Sequence, residues 1–249
     1  MKSLLLSLAL LELLLRHKGS ALLLDKNCAW TDEDGPLHTP WLAKVNNEKG
    51  FICGGALITK NYVLTAAQCL YNQKPPMFVQ LEERLFNVSR GIKHRDYRVQ
   101  PGPNDIGLLK LDGEVNYTTD DIRPICILMD AASVLRNKNR FYGFGWERIE
   151  TGKVSQFEMT TEVRRLPSEE CQHDNMPQLT NHSTQICAEA HYGPCNGDAG
   201  GPLVVIINNR SVQVGITSNG PASCNGPAVY TDVTSYTRWI ASIVRSRIL

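Results

Sequence analysis

Apolar residues in this chain fall into many short runs separated by turn-forming residues. Between residues 41 and 233 the runs include Trp41–Val45, Phe51–Ile58, Ile106–Leu111, Phe141–Trp146, Gly201–Ile207, Val212–Thr217 and Ala228–Val233. Such lengths, punctuated by Gly, Asn and Pro, predict the strands of an all-β sandwich or barrel. The C-terminus departs from this pattern. From Thr234 to Leu249 the residues Tyr236, Ile240, Ile243 and Val244 recur at the spacing of an amphipathic helix. Thr234 and Ser235 are the expected caps for that helix. No repeat, low-complexity run or long polar linker divides the chain. The pattern therefore predicts a β protein closed by one C-terminal helix.

The first 21 residues read differently, as a secretory leader. A short basic start, Met1-Lys2, precedes the Leu-rich run Leu4 to Leu15, and Gly19-Ser20-Ala21 supplies small residues for cleavage after Ala21. The run is short for a membrane span. Removing residues 1–21 leaves 23 basic and 24 acidic side chains. That balance gives no electrostatic case for nucleic acid or an acidic membrane surface. Eight cysteines, an even number, suit an oxidising, extracellular setting. Four sequons fit the same setting, at Asn87, Asn116, Asn181 and Asn209, with Asn209 placed in a turn between two apolar runs. No Cys-x-x-Cys pair is present and the six His are scattered, so neither a metal nor another cofactor is expected.

Four motifs carry a resemblance. Phe51 to Ile58 (FICGGALI), Val63 to Cys69 (VLTAAQC), Asn104 to Leu109 (NDIGLL) and Cys195 to Leu203 (CNGDAGGPL) follow in that order, flanked by Pro40-Trp41 and by Pro227 to Val233. From Cys28 to the C-terminus the chain resembles a trypsin-like serine protease domain. The resemblance implies two packed six-stranded antiparallel β-barrels with an active-site cleft between them. It divides the chain into a removable leader (1–21), an N-terminal segment tied by a disulfide (22–40) and the protease-like domain (41–249). It also implies the pairs Cys53–Cys69, Cys171–Cys187, Cys195–Cys224 and Cys28–Cys126.

In this family a serine hydroxyl attacks the substrate carbonyl, a histidine takes its proton and a buried aspartate orients the histidine. By resemblance the histidine position holds Gln68, the serine position holds Ala199, and Asp105 alone matches. An amide has no basic site of useful pKa, and a methyl group is no nucleophile. Gly197 and Ala199 match the backbone donors of the oxyanion hole. Asp105, as a buried carboxylate, needs donors, and Gln68 and Ser218 are the candidates. The specificity-pocket positions are Gly193, Gly220 and Ala228. Gly193 gives no preference for a basic side chain, and Asn219 in Ser218-Asn219-Gly220 removes an aromatic wall. No Arg or Lys lies between Lys26 and Lys44, so the family's activation cleavage has no site there and Asp198 has no new terminus to pair with.

These readings predict a secreted serine protease homologue without catalytic residues, similar to those of arthropod extracellular cascades. Its expected partner is an extracellular protein, a protease or a protease substrate, bound as a cofactor would bind it, as a decoy or as a regulator. Two alternatives stand beside it: an endopeptidase using non-standard groups, and a vestigial structural protein.

Overall fold

The computed structural model describes residues 22–29, 38–73, 76–99, 102–118, 121–130, 138–148, 154–171, 184–190, 199–221 and 226–246. Twelve antiparallel strands form two closed barrels. The first contains β1 (Leu42–Asn47), β2 (Gly50–Thr59), β3 (Tyr62–Thr65), β4 (Met77–Leu81), β5 (Arg84–Lys93) and β6 (Gly107–Leu111), in the order β1-β2-β3-β6-β5-β4. The second contains β7 (Arg140–Arg148), β8 (Val154–Arg165), β9 (Gln185–Ala190), β10 (Pro202–Ile207), β11 (Arg210–Asn219) and β12 (Gly226–Asp232), in the order β10-β11-β12-β9-β8-β7. Closure leaves every strand paired on both sides, which removes the exposed edges that an open sheet would have to protect.

Period-two alternation decides which side chains fill each barrel. Met77, Val79 and Leu81 of β4 point inward while Phe78 and Gln80 are only partly covered. Val45, Leu57, Val63, Leu109 and Leu111 join them in the first core. Phe141, Val163, Leu203, Val214 and Tyr230 fill the second. The first core continues across the seam into the other barrel. Trp41, wholly buried, meets Phe144 edge-on at 6.3 Å, and Phe51 meets Trp146 at 5.6 Å. Each fully buried large apolar side chain stabilises the fold by about 1.5–3 kcal/mol relative to exposure.

Helix α1 runs only from Thr237 to Val244, after a 3-10 turn at Val233–Tyr236. Its expected start at Thr234 and capping by Thr234 or Ser235 are corrected accordingly. Asp232 caps the 3-10 turn, its carboxylate accepting from the Thr234 N–H at 2.9 Å, and α1 itself starts after Tyr236 without a side-chain cap. The tighter turn swings Tyr236 and Ile240 into the first core, and this burial fixes the helix against the barrels. Residues 247–249 of the expected helix lie outside the described residues.

Three of the four implied disulfides are formed: Cys28–Cys126, Cys53–Cys69 and Cys171–Cys187. Cys195 and Cys224 lie outside the described residues. The Cys28 bridge anchors a short extension. Leu24 N–H donates to the Ile127 carbonyl at 3.0 Å and Met129 N–H to that of Leu22 at 2.8 Å. The Arg210 guanidinium then donates to the Cys28 carbonyl at 2.7 Å, tying the same segment to β11. The two-residue turn Asn208-Asn209 has both residues in the left-handed region, φ 48° and 55°, as a tight hairpin between β10 and β11 requires.

Candidate functional site: an amide–carboxylate pair in the cleft between the barrels

Gln68 opens a 3-10 turn directly after β3, Asp105 sits just before β6, and Ser218 lies near the end of β11. The two barrels thus bring together three residues that are far apart in sequence. Asp105 is 3% exposed, so its carboxylate has to find donors within the protein. The Gln68 backbone N–H donates to Oδ1 at 2.8 Å, and the Gln68 side-chain Nε2 donates to Oδ2 at 2.6 Å. The Ser218 hydroxyl also donates to Oδ2, at 2.7 Å. Gln68 Nε2 spends its second hydrogen on the Ser218 carbonyl at 2.6 Å. Both donor hydrogens of the amide are therefore committed, and Oε1 is left without a donor among the described residues.

Other residues set the position of Asp105, and the sequence did not single them out. Thr231 donates its hydroxyl to the Asp105 backbone carbonyl at 2.8 Å. The preceding Asn104 has φ 68°, and its N–H donates to the Tyr236 hydroxyl at 3.0 Å. That left-handed turn is one that Asn tolerates better than most residues, and an Asn before a buried Asp is the only signal of it in the sequence.

Burial pushes the Asp105 carboxyl above its ordinary range, against the opposing pull of the donors from Ser218 and Gln68. The folded state therefore holds this proton to higher pH than the unfolded chain does. Stability from this group is fully present below the unfolded carboxylate value of about 4 and declines as pH rises through the folded value. Thermal melts recorded upward from pH ~4 are expected to show that decline in the unaltered protein. In Asp105→Asn the decline becomes shallower; an equally steep decline in the variant would assign it to other groups.

The cleft at this junction has a volume of about 270 Å³ and is lined by Gln68, Tyr71, Tyr97, Val99, Gly102, Asp105, Ser218 and Asn219. Burial, with help from Asp105 and Tyr71, pushes the Tyr97 phenol up to about 12, so it is neutral throughout the physiological range. Ala199 is half-buried against the first core, and its carbonyl accepts from the Gly54 N–H at 2.8 Å. Ala228 is buried in the second barrel on β12, and Gly220 follows β11 half-exposed. Gly193, Gly197, Asp198 and the sequon at Asn181 lie outside the described residues. Asn87, Asn116 and Asn209 are all exposed. Asn116 Oδ1 accepts from both the N–H and the hydroxyl of Thr118, at 3.0 and 2.7 Å.

Two six-stranded barrels with a buried aspartate at the cleft between them define the chymotrypsin-type class of fold. The family model for Trypsin matches residues 30–240, and the chain belongs to that family. It is 30% identical to CLIP domain-containing serine protease B4 of Anopheles gambiae over 240 residues, covering 81% of this chain and 66% of that protein. It is 33% identical to Melanization protease 1 of Drosophila melanogaster, covering 83% of this chain and 63% of that protein. Serine protease ea of the same fly is 33% identical, with 83% and 64% covered. The chain spans a little under two thirds of the length of these relatives.

Proposed function

We propose that this chain is a secreted, catalytically inactive serine protease homologue. It binds another extracellular protein, a protease or a protease substrate, and serves as cofactor, decoy or regulator in an extracellular proteolytic cascade. The observation that carries this reading is the amide of Gln68. Both of its donor hydrogens are held, by Asp105 and Ser218, where the family's chemistry needs a base that accepts and returns a proton. Ala199, at the nucleophile position, adds a methyl group where attack on a carbonyl would begin. The disulfides support an extracellular location, and exposed Asn87, Asn116 and Asn209 are suitable glycan acceptors. Relatives named as serine proteases, one of them a melanization protease, support a proteolytic setting.

An active-site fluorophosphonate tests the reading directly. The purified chain is expected to remain unlabelled and to leave casein intact. Covalent labelling of the cleft would sink it in favour of an endopeptidase using other groups.

A further inference from the structure

Leu85, 64% exposed, is the most exposed large apolar side chain among the described residues. Register explains where it points. Val79 and Leu81 of β4 are wholly buried and pair with Phe86 and Arg84 of β5. Phe78 and Gln80 therefore turn outward, and so do the residues opposite them, Asn87 and Leu85. The outer wall of the first barrel thus carries Phe78 and Leu85 beside the Asn87 amide. Directly opposite side chains stand about 4.5–5.5 Å apart at Cβ, which puts that amide within reach of the Phe78 ring. On the other flank of Phe78, Asn46 of β1 is its partner. This second amide is tied to its own strand, donating to the Lys44 carbonyl at 3.2 Å.

Asn87-Val88-Ser89 is a sequon set in the middle of a strand. Its backbone and its hydroxyl are built into the sheet. The Asn87 carbonyl accepts from the Asp112 N–H at 2.8 Å. Register slips between Val88 and Arg90, making Ser89 the extra residue of a bulge, and its hydroxyl donates to the Lys110 carbonyl at 3.0 Å. The Asn87 side chain is the part left facing out, bonded to no described residue. The other sequons among the described residues differ. Asn116 accepts from its own Thr118 hydroxyl at 2.7 Å, and Asn209 occupies a hairpin turn. No exposed large apolar side chain adjoins either of them in the chain.

We propose that an N-linked glycan on Asn87 covers this strip, its first N-acetylglucosamine laid against Phe78 and Leu85. In the transfer, Asn87 Nδ2 bonds to C1 of the sugar while the C1–O bond to a lipid diphosphate breaks. The diphosphate leaves with the electron pair, and one amide hydrogen leaves as a proton. The C–H groups on one face of the pyranose are apolar and suit the negative face of an aromatic ring. Covering Leu85 also takes an apolar side chain out of water. The covalent link holds the sugar at the strip at high effective concentration, so a contact too weak to capture a free sugar suffices. The inference rests on the extracellular part of the reading above, since the lipid-linked donor is met in the secretory pathway.

Peptide mass spectrometry of the full chain, secreted from eukaryotic cells under a mannosidase inhibitor, is expected to find hexosamine on Asn87. Thermal melts then read the cover. Asn87→Gln keeps an amide but is no sequon, and should lower Tm by about 2–4 °C, the shift that one good side-chain contact gives a domain of this size. Endoglycosidase H, which leaves a single N-acetylglucosamine on each Asn, should leave Tm where it was, because the first sugar makes the contact. In a Phe78→Gln background, Asn87→Gln should cost nothing further. Asn116→Gln and Asn209→Gln should leave Tm unchanged. Where Asn87→Gln is not secreted, complete removal of the glycan from the folded chain by PNGase F gives the same comparison. A bare Asn87 in a chain that carries glycan at Asn116 or Asn209 overturns the proposal by itself. An undiminished Tm without the Asn87 glycan, or an equal loss with and without Phe78, also overturns it. No glycan at any sequon overturns it together with the extracellular reading.

Discussion

A chain carrying both Gln68→His and Ala199→Ser is expected to react with a fluorophosphonate, whereas the unaltered chain and either single variant do not. The expectation follows from the division of labour at the cleft. A serine hydroxyl is a weak nucleophile until a neighbouring base takes its proton, and a base with no hydroxyl beside it has nothing to activate. Removing either partner from a working triad on another fold costs about 10⁶ in turnover, or roughly 8 kcal/mol of barrier. The third partner is already in place. Asp105 Oδ2 receives the Gln68 amide at 2.6 Å and Ser218 at 2.7 Å, and an imidazole N–H in place of that amide would meet the same oxygen. Mass spectrometry of the labelled peptide checks the site of reaction. Labelling of Ala199→Ser alone at the level of the double variant would mean that some group other than residue 68 supplies the base. Failure of the double variant, with its fold intact by circular dichroism, would place the obstacle in the surrounding loops.

Much of the scaffold was legible because burial on two sides leaves a strong mark. The runs at Phe51–Ile58 and Val212–Thr217 become the centres of β2 and β11, whose residues there are almost all enclosed. β5 left no such mark, since none of its residues from Arg84 to Lys93 is fully buried and only Phe86, Val88 and Ile92 are partly covered. It is a strand because β4 and β6 pair with it on either side, a relation no local pattern contains. The site was legible through the family resemblance, which placed Asp105 as a buried carboxylate. Such a group needs donors, and the two candidates, Gln68 and Ser218, both reach Asp105. The Asp105 carbonyl's bond from Thr231 and the approach of Tyr71 and Tyr97 depend on how loops cross between barrels, so they emerged only in three dimensions. The disulfides were legible only through family resemblance, because spacing alone leaves the connectivity of eight cysteines open.

The seam between the barrels at Gly200 is where a single methyl group is expected to do the most damage to the fold. Gly200 has φ +84°, and a Cβ added there would lie 2.3 Å from both the Gly54 carbonyl oxygen and the Thr65 hydroxyl. Neither neighbour is able to withdraw cheaply. Thr65 donates to that same Gly54 oxygen at 2.7 Å, the Gly54 N–H donates to the Ala199 carbonyl at 2.8 Å, and the Gly200 N–H donates to the Thr217 carbonyl at 2.8 Å. The methyl group would have to push the barrels apart where backbone hydrogen bonds hold them together. Left-handed backbone costs a non-glycine residue about 1–2 kcal/mol, and overpacking adds about 1–3 kcal/mol or more. Gly200→Ala should therefore lose roughly 2–5 kcal/mol, seen as a fall in Tm of about 4–20 °C at 2–4 °C per kcal/mol for a domain of this size. Gly113→Ala separates the two causes. Its φ is +102°, but nothing lies within 4 Å of the added Cβ, so it should lose only the conformational share of about 1–2 kcal/mol. Equal melting temperatures for the two variants would mean that the barrels separate at Gly200 without cost, and that the close seam is not what fixes the cleft.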